Sequence, residues 1–175
     1  MTEEKKASHS DSEAKIGIYI CHCGGNISDH VDVEKVREQA GQLPGVTVAA
    51  QNHFMCSDPG QEMIMEDIKN GRVNRVVVAS CAPSLHETTF RRAIGRAGLN
   101  PYLYDHANIR EQVSGVHHGD GATAKAAALT AAAAAKTRSM KPLEAIKVDA
   151  VPGVLVIGGG PAGLKAARDL ARQGI

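Results

Sequence analysis

The chain has 175 residues, room for one medium domain and the start of another. Its 43% apolar and 22% charged composition is that of a globular protein, and 20 basic against 19 acidic residues leave a net charge of +1. That balance excludes the basic footprint of a nucleic-acid binder or of a protein held on an acidic membrane surface.

Residues 1–14 (MTEEKKASHSDSEA) are polar and lack the apolar segment of a signal peptide or membrane span, so they are expected to form a disordered tail. Further on, no stretch approaches about 18 strongly apolar residues, and the alanine run 126–135 is too short and too weakly hydrophobic. The expected location is the cytoplasm, where thiols stay reduced. The four cysteines then suggest metal or redox chemistry before structural disulfides.

Short β-rich runs alternate with helical stretches. Ile16–Ile20 (IGIYI) reads as a buried strand, and 32–41 (DVEKVREQAG) as a helix with Val33 and Val36 inward. Val46–Ala50 is a second strand. In CSDPGQEMIMEDIKNG, Asp58 is the expected N-cap, Pro59 sits at N1 and Gln61 at N3 completes a capping box; Gly71 closes the helix. Residues 74–79 (NRVVVA) form a third strand. Ser84 to Glu87 reads as another capping box, opening a helix to Gly98 that carries Arg91, Arg92 and Arg96 on a solvated face. Pro101–Tyr104 (PYLY) is the expected fourth strand, followed by a short helix within 107–116. The alanine-rich stretch 119–140 has high helix propensity, and 141–152 reads as a linker. Strands alternating with helices across short loops argue for α/β architecture: a Rossmann-like, three-layer domain over 15–140, its parallel sheet covered on both faces.

On that map the thiols fall into one region. Cys21 and Cys23 follow the first strand, Cys56 lies in the loop after the second, and Cys81 directly follows the third. The carboxyl ends of parallel strands share one edge, where ligands of such sheets bind. Strands about 4.8 Å apart bring three strand ends within roughly 10 Å. Converging thiolates repel or oxidise unless a cation or cluster holds them. The options are a tetrahedral Zn²⁺ and an iron–sulfur cluster, beside buried inert cysteines and thiol–disulfide exchange. Cys-x-Cys is tight for two ligands on one Zn²⁺, whereas a [4Fe–4S] cube tolerates ligands from separate loops, so the spacing leans toward the cluster. Gly24, Gly25, Ser57, Gly60, Ser80 and Ala82 leave space and backbone N–H groups around it, and Asn26 and Ser57 could add side-chain donors. His22, His53 and His86 lie near the cysteines in sequence and are candidate replacement ligands or hydrogen-bond donors. His117-His118 reads as a loop pair.

Residues 153–175 hold a second motif. Val154–Ile157 reads as a strand, and Gly158-x-Gly160-x-x-Gly163 then opens a helix, the context a dinucleotide-binding fingerprint requires. Gly158 allows the turn, Gly160 the approach of a pyrophosphate, and Gly163 close helix–strand contact. The next strand and its acidic ribose ligand, expected about 20 residues on, lie beyond Ile175. This segment is therefore expected to be the first β–α unit of a truncated FAD-binding domain, too small to hold a flavin alone.

From Lys15 onward the chain resembles the HdrA family of heterodisulfide reductase proteins. The resemblance is carried by IGIYICHCGGNI, HFMCSDPGQEMIMEDI, NRVVVASCAPSLHETTFRRA, AGLNPYLYDHANIREQ and VLVIGGGPAGLKAA. It implies the N-terminal portion of a cytoplasmic, FAD-containing, multi-cluster iron–sulfur oxidoreductase of anaerobic metabolism such as methanogenesis. By resemblance, Cys21, Cys23, Cys56 and Cys81 are [4Fe–4S] ligands, and Gly158, Gly160 and Gly163 belong to the FAD segment. The implied work is flavin-based electron bifurcation. The implied partners are other heterodisulfide reductase subunits, a hydrogenase or formate dehydrogenase as donor, and a ferredoxin. An electron-relay domain without catalysis of its own is the expected role of this piece. The alternative is an assembly or docking module with a structural Zn²⁺ or an empty cysteine site.

Overall fold

The first strand, β1 (Ile16–Cys21, IGIYIC), is buried at every residue because it is paired on both sides and covered on both faces. The computed structural model describes residues 13–175. Strands β1, β2 (Val46–Asn52), β3 (Arg75–Ser80) and β4 (Tyr104–Asn108) form one sheet in the order β2-β1-β3-β4, all parallel. Continuous aliphatic runs such as Val76–Val78 are what a doubly covered parallel sheet demands.

Helices α1 (Val33–Gly41) and α4 (Asp120–Arg138) lie on one face of the sheet, and α2 (Asp58–Lys69) and α3 (Pro83–Arg96) on the other. Right-handed crossovers on each side of β1 produce this segregation. Helix α1 starts where Asp32 Oδ1 accepts the Lys35 N–H at 3.0 Å, and it buries Val33, Val36 and Ala40 at helical spacing. Helix α4 buries Ala122, Ala126, Ala133 and Ala134, small side chains that let it approach the sheet. Tyr19, Phe90, Tyr104 and Ile64 are the larger core pieces.

Several expectations need correction. Residues 101–103 make a turn, not a strand: Pro101 has no N–H to give a ladder, Asn100 Oδ1 takes the Tyr102 N–H, and Asn100 O takes that of Leu103. The fourth strand is the more polar YDHAN. The helix sought within 107–116 reduces to a single π-type turn, Arg110–Ser114. Neither capping box forms. Ser57 and Ala82 are the N-caps of α2 and α3, and neither supplies a side-chain cap. Glu87 instead pairs with Arg91 one turn on, and the Gln61 amide donates to Cys56 O at 2.8 Å.

The chain divides into two compact units, the first ending at Leu143 and the second running Glu144–Ile175. In the second, Val154–Ile157 forms no strand, since a lone extended segment has no neighbour to pair with. Helix α5 (Pro161–Arg172) does form, capped by Gly160. Of the expected tail, residues 1–12 lie outside the described residues, and Glu13 O accepts from Asn74 Nδ2 at 3.0 Å. Among the described residues no helix is long and apolar enough to cross a membrane.

Candidate metal centre at the carboxyl edge of the sheet

From β1 the chain passes outward to β2, whereas from β3 it passes the other way to β4. The strand order therefore reverses between β1 and β3, the place where open parallel sheets bind ligands. Cys21 ends β1 and Cys81 immediately follows β3, so both flank that crevice. Registry aligns the rest: Cys21 pairs with Asn52, and Ser80 with Asn108. Cys23 and Cys56 lie just past those strand ends, as does Arg110 on the fourth strand.

The Cys21 thiol is buried, and its sulfur is held by backbone. The N–H groups of Cys23 and Met55 donate to Sγ at 3.3 and 3.4 Å, and Sγ faces His53 O at 3.7 Å. Burial pushes this thiol up to about 11; the two N–H bonds oppose the rise, and neighbouring Cys23 and Cys56 add to it. Burial also raises the Cys81 thiol, against the Arg110 charge and a hydrogen bond from Ser80, with Cys23 again adding to the rise. Each cysteine is thus within electrostatic reach of at least one other, and the chain 56–21–23–81 links all four.

Two local devices place these side chains. Cys23 is the one non-glycine residue with positive φ among the described residues, at 55°, and Gly24 (60°) and Gly25 (102°) continue the left-handed path. A non-glycine residue held there costs of order 1 kcal/mol, a strain typical of ligand clamps. The turn is closed by the Asn26 N–H and side-chain amide, both on Cys23 O. The second device is Gly60. A Cβ there would lie 2.5 Å from Met55 O and 2.6 Å from Phe54 O, so glycine lets the loop carrying Cys56 press onto the first turn of α2.

Cys56 and Cys81 each directly precede a helix N-cap, Ser57 and Ala82. The positive ends of two helix dipoles, each equivalent to roughly half a charge, therefore lie beside two of the thiols. Cys23 receives a full charge, because Arg110 Nη1 donates to its Sγ at 3.1 Å.

The expected side-chain donors do not reach the thiols. Asn26 turns to Cys23 O, and Ser57 Oγ donates to Phe54 O at 2.6 Å. His22 bonds Gln51 Oε1 at 3.2 Å and packs tilted against the His53 ring, centroids 5.0 Å apart. Among the described residues no three His, Cys, Asp or Glu side chains are set as ligands of one metal ion.

In the second unit, Gly158 has φ 115°, and a Cβ on Gly163 would lie 1.9 Å from Gly158 O. Both positions thus require glycine, and the N-terminus of α5 opens at Gly160 between them. These three residues suit the phosphate-facing turn of a dinucleotide site.

No protein-family model matches the chain. It is 54% identical over 99% of its length to the HdrA component of the H(2):CoB-CoM heterodisulfide,ferredoxin reductase of Methanothermobacter marburgensis. It is 53% identical over 94% to the second iron-sulfur HdrA component of the CoB--CoM heterodisulfide reductase of Methanopyrus kandleri. To the HdrA component of the Ferredoxin:CoB-CoM heterodisulfide reductase of Methanosarcina mazei it is 49% identical over 91%. The chain spans 26%, 26% and 20% of these relatives, about a quarter of their length or less.

Proposed function

Over its own length the chain belongs to the HdrA family of heterodisulfide reductase proteins, and from that premise we propose that its first unit is an electron-relay domain holding one [4Fe–4S] cluster on Cys21, Cys23, Cys56 and Cys81. The observation that carries the reading is the gathering of every cysteine in the chain at one sheet edge, beside the topological switch point. The donor set fits. Four thiols arrive from three loops, two backbone N–H groups already face one sulfur, and a guanidinium faces another. Arrival from separate loops, with no three of the described side chains set for one ion, favours a cube with a ligand at each corner over one ion with all bonds about 2.3 Å long. Such a cluster, when bound, takes up and releases single electrons.

The chain's own residues prepare the site. Met55 and Cys23 hold Cys21 Sγ by N–H donation, which favours the anionic ligand over the buried thiol. The helix ends after Cys56 and Cys81 favour thiolate in the same way. Burial of Cys21 and Cys81 keeps water from the inner side of the centre.

In the whole protein, Gly158, Gly160 and Gly163 serve the phosphate-facing turn of an FAD site, and the relay exchanges electrons with that flavin. The names of relatives point to a multi-subunit CoB–CoM heterodisulfide reductase that uses a ferredoxin. Bifurcation at the flavin, partnership with other reductase subunits and with a hydrogenase or formate dehydrogenase, and a cytoplasmic setting are parts of the same proposal.

The test is a set of four single Cys→Ser variants, each reconstituted without oxygen. Each is expected to lose most of the brown chromophore. Retention of full colour in any one would remove that residue from the ligand set, and colourless wild-type protein would reject the reading.

A further inference from the structure

Arg110 is 87 residues from Cys23 in sequence, yet its side chain ends on that sulfur. Each of its three nitrogens makes a hydrogen bond. Nε and Nη2 donate to Glu111 Oε1 at 2.9 and 2.7 Å, which leaves Nη1 for Cys23 Sγ at 3.1 Å. Glu111 is fixed in turn, because its N–H donates to Asn108 Oδ1 at 3.0 Å. Asn108 ends β4 in register with Ser80, next to Cys81. The couple is therefore built from the sheet upward: strand end, π-type turn, carboxylate, guanidinium, sulfur.

We propose that Arg110 and Glu111 form a charge couple that sets the electron affinity of the centre. This rests on the reading of the four cysteines as cluster ligands. Reduction adds one negative charge to the cluster. A cation bonded to a ligand sulfur stabilises the reduced form more than the oxidised one, so Arg110 raises the potential. Glu111 acts in the opposite sense and from one group further away, since its carboxylate touches the guanidinium and not the Cys23 sulfur. Arg110 is a positioning and tuning residue: it stands at a ligand and supplies neither an electron nor a proton.

The test uses the chain with Arg110→Gln, Arg110→Lys and Glu111→Gln, reconstituted anaerobically. Iron and sulfide are quantified, and the midpoint potential is read by EPR during a one-electron reductive titration. Arg110→Gln is expected to lower the reduced-to-oxidised ratio about tenfold at fixed ambient potential, a shift of about 59 mV downward. Arg110→Lys recovers part of it, and Glu111→Gln moves the potential upward. An Arg110→Gln cluster with unchanged potential, or both neutral variants shifting the same way, would overturn the tuning role and leave the cluster assignment standing. Should Arg110→Gln hold no cluster, Glu111→Gln decides: an upward shift supports the couple and none overturns it. Wild-type protein that takes up no iron overturns the cluster reading, and this inference with it.

Discussion

Gly60→Ala puts a methyl group where backbone already stands. The added carbon would lie 2.5 Å from Met55 O and 2.6 Å from both Met55 Cα and Phe54 O. None of these atoms is the flexible end of a side chain, so the 54–56 loop must lift off α2. Alanine in a helix ordinarily gains about 0.5–1 kcal/mol over glycine. Overpacking of this kind costs about 1–3 kcal/mol. The expected net is a loss of about 1–2 kcal/mol in denaturant unfolding of the metal-free chain. The lift also withdraws the Met55 N–H from Cys21 Sγ and shifts Cys56, so iron uptake is expected to fall at least several-fold. Gly95→Ala is the control. Its new methyl meets only Pro101 Cγ at 3.4 Å on an exposed helix position, so it is expected to be neutral or to gain up to about 1 kcal/mol. A Gly60→Ala chain as stable as Gly95→Ala, with full iron content, would refute the placement of Cys56.

Three further substitutions check other parts. Tyr19→Phe removes the hydroxyl that donates to Asp67 Oδ2 at 2.8 Å; Asp67 is buried and keeps Arg72, so a loss of about 1–3 kcal/mol is expected in urea unfolding. Asp32→Ala deletes the N-cap of α1 and is expected to cost about 1 kcal/mol in the same assay. Gly163→Ala forces Gly158 O away from the start of α5, and hydrogen exchange at the first-turn amides of that helix is expected to speed up while the first unit is unaffected.

Much of the fold was legible because parallel strands with helices packed on them are written as largely aliphatic runs. IGIYI, VTVAA and RVVVA each fall on an observed strand. The fourth misled because, unlike in β2, the other edge strand, polar residues break the middle of its apolar run. Its inner residues Tyr104 and Ala107 are separated by Asp105 and His106, whose polarity is absorbed by Lys136 and by Ser80 with Tyr104. The apolar PYLY beside it looked more strand-like, but proline and Asn100 commit it to a turn. Both capping-box patterns were present in sequence. Proline in the first helical turn had already set the helix starts, and Glu87 and Gln61 found other partners.

That the cysteines lie along one edge was legible because strand ends need only approximate placement for such an inference. Arg110 was missed because its strand was. It lies two residues beyond the end of β4, the offset that Cys23 has from β1. A fourth strand placed at 104–108 would have put it on the same edge. That Asn26 and Ser57 bond backbone carbonyls could not be read from composition, since short polar side chains satisfy the nearest turn first.

The most direct measurement is iron and acid-labile sulfide per chain, with EPR of the reduced protein, after oxygen-free reconstitution of wild type and Cys56→Ser. About four iron and four sulfide per wild-type chain, with a reduced-cluster signal that Cys56→Ser lacks, is the expected result. Zinc without sulfide, or four thiols that still titrate freely, would contradict the claim that this edge of the sheet holds a cluster.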